Sequence, residues 1–294
     1  MMKLNINMLI LSVILLILPM NTFANEVHYE DDDTPISFMI EVLPWDIANQ
    51  ILPNGTTFTV IDVETGLQFR VQRRAGNKHA DVQPLTRRDT QIMKKIYNGR
   101  WSWNRRAIIA LVDDQMIAAS MHGMPHGAGA LKNGFPGHFC IHFWGSTTHR
   151  SGNMDPSHKL MILKAGGKID DYLHNVDPYE LIHIFSIAVK NHDKQLLELT
   201  VAKNESQSQL TKVIRDFTYF GITNISLLPV EDINEQILIE VPVEVEFYKK
   251  NKGRAKKVMH FIIRRDSLID RWYIDGQYFL KELLWDEVQN EENK

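Results

Sequence analysis

The segment HGMPHGAGALKNGFPGHFCIHF, residues 122 to 143, holds four histidines and the only cysteine of the chain. Six of the 12 histidines fall between His122 and His158. A thiol among imidazoles is suited to acyl transfer. The thiolate attacks a carbonyl, a free thiol titrates near ~8.5, and a neighbouring imidazole supplies the base or positive field that ionises it. His138 and His142 stand two residues before and after Cys140, so on a strand all three side chains share one face. His122 lies 18 residues upstream of the thiol, across a loop rich in glycine and proline. Zinc is a second chemistry open to the same stretch: His122-x3-His126, His138-x3-His142, His149, Asp155 and Cys140 are all ligand types. An i, i+4 histidine pair is a convincing zinc site on a helix, and the loop and strand settings of these pairs disfavour it. The bland alternative is a buried, inert Cys140 with satisfied histidines around it, since free cysteine packs as a small hydrophobe.

The elements that must position these groups are mostly strands. TTFTVIDVETGLQFRVQRR alternates, with Phe58, Val60 and Asp62 on one face and Leu67, Phe69 and Val71 after Thr65-Gly66, and predicts a β-hairpin. Thr86-Arg87-Arg88-Asp89 opens a helix as a capping box, and Gly99 ends it. RAIIALV, turning at Asp113-Asp114 into MIAASM, forms a second hairpin that delivers the chain to His122. HFCIHFW returns to β character after the loop, with Cys140, His142 and Trp144 opposite Phe139, Ile141 and Phe143. Asp155-Pro156 begins a helix that Gly166-Gly167 stops. His79-x-Asp81 reads as a loop bracing the site. Arg73-Arg74 and Arg105-Arg106 read as solvated hairpin faces, with carboxylate recognition as the other option. Trp101 and Trp103 read as packing residues, with stacking on sugar rings as the other option.

His122-Gly123, a gap of about fifteen residues, then Gly137-His138-Phe139-Cys140-Ile141-His142 resembles the signature of the YkuD-type L,D-transpeptidases. That signature is a His-Gly followed by Ser/Thr-His-Gly-Cys-x-Arg/Asn. The resemblance implies a YkuD-like β-sandwich with short helices over residues 56–168 and an enzyme that works through a Cys thioester. Carried over residue by residue, it makes Cys140 the nucleophile and His122 the base and acid. Gly123 then orients that imidazole, His138 braces the site, and the amides of Phe139 and Cys140 form the oxyanion hole. The implied substrate is the peptidoglycan stem peptide, with an amine acceptor (transpeptidase) or water (carboxypeptidase), and neither metal nor cofactor is implied. Gly137, Phe139 and His142 depart from the pattern, replacing Ser/Thr, Gly and Arg/Asn at the positions that border the oxyanion hole and hold substrate.

The rest of the chain sets the context. Lys3, the apolar run from Met8 to Leu18 and Thr22-Phe23-Ala24 form the pattern of a cleaved signal peptide over residues 1–24. This predicts an exported, cell-wall-facing protein with no membrane span after cleavage and a leader over 25–55. A formal net charge of -3 gives no general attraction to nucleic acid. Past Gly167 the character changes. Asp177-Pro178 starts a helix, SQLTKVIRDFTYFG predicts another ended by Gly221, and three strands follow, ending in DRWYIDG. That order, over residues 177–288, resembles a smaller α+β domain of the cystatin-like or NTF2-like kind and suggests a spacer or recognition module. The sequence leaves the oligomeric state open. Two rival functions also remain: a zinc-dependent peptidoglycan peptidase, and a non-catalytic wall-binding protein with a degenerate transpeptidase fold.

Overall fold

The computed structural model describes residues 39–148, 152–203, 206–226, 233–250 and 253–283. The expected signal peptide, the acidic run at 30–33, His149 and the last residues of the expected second domain lie outside the described residues.

The protein is mainly β. Both expected hairpins form: β2 (Thr57–Asp62) pairs with β3 (Gln68–Ala75), and β5 (Arg105–Val112) with β6 (Gln115–His122). The second turn is tight because Asp113 and Asp114 both take positive φ, 44° and 64°, which matches the right-handed twist of the flanking strands. Two further strands, β4 (Ala80–Pro84) and β7 (Phe139–His142), complete a seven-stranded sheet of order β1-β6-β5-β2-β3-β4-β7. An extra β6–β7 pairing closes a barrel of β2 to β7, with β1 attached outside it on β6. Phe58, Val60, Phe69, Val71, Val82, Met121, Phe139 and Ile141 fill the interior as one cluster. Helix α1 (Trp45–Ile51) and the two-residue strand β1 (Ile40–Glu41), both within the stretch read as leader, are built onto this sheet. Ala48 and Leu52 belong to its core, and Trp45 donates its amide to Trp144 O at 2.7 Å.

Helix α2 (Arg87–Ile96) has the predicted capping box between Thr86 and Asp89. Helix α3 (Pro156–Ala165) starts as predicted, with the Asp155 carboxylate accepting from His158 N and proline in the first turn. It packs across β5 and β6 on the outer face of the barrel, where Ala107 and Ala118 leave room for Leu160 and Ile162. Those residues continue into a second core formed with α4 (Ile169–His174), α5 (Pro178–Asn191), α6 (Lys194–Thr200), α7 (Ser206–Ile214) and a four-stranded antiparallel sheet. The described residues, from 39 to 283, fall in one compact unit.

That second sheet runs β11-β10-β9-β8 and corrects one expectation. The helix read as far as Gly221 ends at Ile214, and Phe217–Ile225 is strand β8, paired with β9 (Leu238–Lys249). Its composition explains the switch: Phe217, Thr218, Tyr219, Phe220, Ile222 and Thr223 are aromatic or β-branched, which suits a pleated surface better than a helix. Phe217 and Phe220 are buried in the core below it. Strand β10 (Gly253–Arg264) follows, and the closing strand β11 is short, Tyr273–Ile274.

Candidate active site

The site is a row across the outer face of the barrel. In the β4–β7 register Asp81 stands opposite Cys140, and in the β5–β6 register Arg105 stands opposite His122. The β6–β7 register pairs Ser120 with His142 and Met121 with Ile141, and its next step brings His122 beside Cys140. Side chains directly opposite across an antiparallel pair share a face. Asp81, Cys140, His122 and Arg105 therefore form one line over four strands that are far apart in sequence. Residues two positions away along the same stretches of chain, His138, His142, His79 and Ser120, flank that line. Phe139 and Ile141 point the other way, into the barrel core. That is how Phe139 is accommodated beside the thiol: its ring is fully buried against Phe69 and Phe135, away from the site.

The loop from Gly123 to Gly137 is fastened back over this row. His126 and His138 exchange two backbone hydrogen bonds of 2.9 Å. Buried Gln83 donates to Gly137 O at 2.7 Å and accepts from the amides of Ala130 and Leu131 at 2.8 and 3.2 Å. Gly137 has φ +124°, and a β-carbon there would lie 2.5 Å from His126 O, so the Ser or Thr of the resembled signature has no room in this loop. Gly123 is equally confined, since a β-carbon would meet the Tyr97 ring at 2.4 Å. The fastening delivers His126: its Nε2 lies 3.3 Å from Cys140 Sγ, and its Nδ1 lies 3.2 Å from Met124 O. Donation to that carbonyl fixes the proton on Nδ1 and leaves the Nε2 lone pair facing the thiol.

Thus the imidazole in contact with the thiol belongs to His126, and His122 stands behind it, its ring 5.2 Å from that of His126. Trp103 covers both, 4.7 and 5.6 Å from the His122 and His126 rings. Asp81 Oδ1 accepts from Cys140 Sγ at 3.5 Å and from His79 Nε2 at 3.2 Å, while His79 Nδ1 faces Thr147 O at 2.9 Å. His138 Nε2 is 3.8 Å from the same carboxylate oxygen. His142 is stacked between His79 and His158, with ring separations of 4.7 and 3.8 Å, and His158 Nδ1 meets Ser120 Oγ at 2.9 Å. Arg105 reaches Asp155 at 3.0 Å. These groups line a cavity of ≈ 600 Å³ that includes Trp103, Arg105, Thr148 and five histidines, His79, His122, His126, His142 and His158, around Cys140.

The electrostatics differ from the expectation of a resting thiolate. Burial pushes the Cys140 thiol far up, and the charge and hydrogen bond of Asp81 push the same way. Burial would raise Asp81 too, but its contacts with His79, His138 and Cys140 together outweigh that and hold the carboxyl below its ordinary range. His122 and His158 are held well below the usual imidazole value, first by burial and then by neighbouring Arg105 and other imidazoles. The site thus sets a neutral thiol and a carboxylate beside two buried rings, His122 and His158, that are held neutral.

Of the residues singled out from the sequence, Cys140, His122, His138 and His142 come together here. Gly123 and Gly137 shape the loop. The amides of Phe139 and Cys140 lie in a strand paired with β4 through residues 139–141. Asp81, read as part of a bracing loop, lies at the start of β4, His79 lies just before that strand, and both touch the thiol's own surroundings. Arg73, read as solvated, is buried and binds the carbonyls of Leu52 and Gly76. Arg106, likewise read as solvated, is ion-paired to Asp62 at 2.6 Å and Glu64 at 2.7 Å. The sequence reading missed His158 as a member of the site. Its only signal was its place at the start of a helix that had to pack on the histidine-bearing strands. No protein-family model matches the chain, and comparisons with curated proteins and with solved structures return no significant match.

Proposed function

We propose that this chain is an exported, cell-wall-modifying cysteine enzyme that transfers acyl groups through Cys140. The observation that carries the proposal is the 3.3 Å contact between Cys140 Sγ and His126 Nε2 on the wall of an open cavity. A thiol whose ionisation is opposed by burial and by Asp81 needs a base at the moment of attack, in the manner of a serine–histidine pair. His126 Nε2 takes the proton as sulfur bonds to the carbonyl carbon. The imidazolium then returns that proton to the departing amine as the C–N bond breaks, leaving a thioester. An amine or water attacks the thioester and regenerates the thiol.

The substrate class, peptidoglycan stem peptides cut before a terminal D-Ala, comes from the L,D-transpeptidase-like spacing of His122, Gly123, His138 and Cys140. The YkuD-like sandwich, the separate cystatin-like or NTF2-like module and the signal peptide belong to the same proposal. Within it, the half-buried Arg105 on the cavity wall is the candidate to meet a substrate carboxylate.

The test is incubation of the reduced, metal-free protein with purified tetrapeptide muropeptides, read by mass spectrometry. Loss of D-Ala with dimers identifies a transpeptidase, and loss without dimers a carboxypeptidase. Absence of both products, together with no covalent adduct at Cys140 from a carbapenem, would overturn the proposal.

A further inference from the structure

We propose that His122, His126 and Cys140 together bind one Zn²⁺ ion, and that metal occupation holds the nucleophile off. One ring nitrogen of each histidine and the sulfur all lie within 4.8 Å of one another. Zinc binds sulfur at about 2.3 Å and imidazole nitrogen at about 2.0–2.1 Å, which sets sulfur and nitrogen about 3.5 Å apart on a tetrahedral ion. The contact between Cys140 Sγ and His126 Nε2, 3.3 Å, is already close to that edge. The two remaining edges, both to His122 and neither longer than 4.8 Å, have to close by up to about 1.5 Å to match those bond lengths. Two imidazoles and one sulfur suit a borderline ion such as zinc and disfavour magnesium or calcium, which take oxygen.

The surroundings favour this set over its neighbour. His126 Nδ1 is held by Met124 O at 3.2 Å, the outer hydrogen bond that typically orients a metal-binding histidine and leaves Nε2 for the ion. His79, Cys140 and His142 form a second group that shares the sulfur. There, however, His79 faces oxygen at both ring nitrogens, Thr147 O at 2.9 Å and Asp81 Oδ1 at 3.2 Å, so a metal would have to break one of those contacts, whereas the contact at His122, Nδ1 accepting from Met124 N, is longer at 3.4 Å. The fourth position of an ion on His122, His126 and Cys140 opens to the cavity and takes water. The metal binds sulfur as thiolate, and its proton leaves to solvent. That the ion inhibits rests on the acyl-transfer reading. That it binds does not.

The experiment titrates the reduced, metal-free full chain with Co²⁺ as a spectroscopic probe, with Zn²⁺ as competitor. Saturation at one equivalent is expected, with intense tetrahedral visible bands and a thiolate-to-cobalt charge-transfer band in the near ultraviolet that Zn²⁺ removes. Cys140→Ala loses the charge-transfer band. His122→Gln and His126→Gln, checked for native circular dichroism, bind about ten-fold or more weakly. One equivalent of Zn²⁺ slows alkylation of Cys140 by iodoacetamide about ten-fold or more, and a chelator restores it. Failure to saturate, a charge-transfer band that survives in Cys140→Ala, or undiminished affinity in both folded histidine variants overturns the site. Unchanged alkylation of the zinc-loaded protein overturns the switch. Muropeptide turnover is scored separately in metal-free buffer. A chain that binds cobalt but yields no product rejects acyl transfer, and with it the inhibitory role, while retaining the site. An active chain that binds no cobalt does the reverse.

Discussion

Two buried polar clusters lie on opposite flanks of β5, and they are built on different principles. In the first, Asp62 on β2 takes both arms of Arg106 at 2.6 and 2.7 Å, Arg106 reaches Glu64 at 2.7 Å, Lys164 on α3 bridges Glu64 at 3.3 Å to Asp193 at 2.7 Å, and Asp193 caps α6. Every charge there has an opposite partner, and each bond ties one element to another. In the second, rings crowd rings: His142 between His79 and His158, His122 against His126, and a neutral thiol beside a carboxylate. The ion chain is accounted for by the fold it fastens. The histidine cluster fastens little that hydrophobic residues would not fasten better, because burying imidazoles in each other's company has a desolvation cost with few compensating charges. A cluster that opposes folding yet lines a cavity is best explained by the chemistry it supports.

The sharpest break in this comparison is at the thiol. Cys140→Ala should lower muropeptide turnover by about 10⁴-fold or more, the scale on which a nucleophile is lost, while its melting temperature stays near that of the wild type. Residual turnover within ten-fold of wild type would reassign Cys140 to packing. Lys164→Ala should do the converse. It leaves Asp193 buried without its cation and should cost about 3–5 kcal/mol of stability by urea unfolding, with the rate of Cys140 alkylation at low temperature unchanged. Equal loss of thiol reactivity and stability in that variant would mean the two clusters are one cooperative unit. His126→Gln keeps the loop's volume but removes the base. It should slow acyl transfer by about 10²–10⁴-fold, and more than His122→Gln does. The reverse ranking would restore His122 as the proton acceptor.

The comparison also marks what the sequence could disclose. Hairpins β2–β3 and β5–β6, the capping box at Thr86 and the proline-led helix starts at Pro156 and Pro178 are local patterns, and each appears in the structure where the pattern lies. The concentration of histidines around Cys140 was equally legible. The choice of imidazole was not, because it depends on Gln83 and Gly137 folding the loop back, an arrangement of residues far apart in the chain. Asp81 was read as a loop residue because Ala80–Pro84 is buried throughout and shows no alternation. Its place beside the thiol follows from a register with β7 that no spacing announces. Arg73 and Arg106 looked solvated because paired arginines on a hairpin usually are. Each instead found buried partners on another element. The strand at Phe217–Ile225 was hidden by a helical run that stops just before it.

The smallest effect tests the neutral rings themselves. His158 and His122 are held well below the ordinary imidazole value by burial, so the folded chain refuses protons that the unfolded chain accepts below about pH 6.5. The unfolded state then carries the greater number of bound protons, and stability must fall as the pH is lowered through that value. For each such ring the slope is about half of 1.4 kcal/mol per pH unit at pH 6.5 and approaches the full value about a unit lower. Asp81 acts in the same direction but only under about pH 4, where a carboxyl with a lowered native value begins to be protonated in the unfolded chain. Between pH 6.5 and 5.5 the metal-free protein should therefore lose about 2 kcal/mol by urea unfolding. His158→Gln should remove about half of that loss, since one of the two rings is gone. Lys164→Ala should shift the whole curve down without changing its slope, because it leaves both rings and their surroundings in place. A flat profile in the wild type, or a slope untouched by His158→Gln, would mean that the rings find protons or partners in solution. The contrast between a cluster of ion pairs and a cluster of stacked rings would then fail.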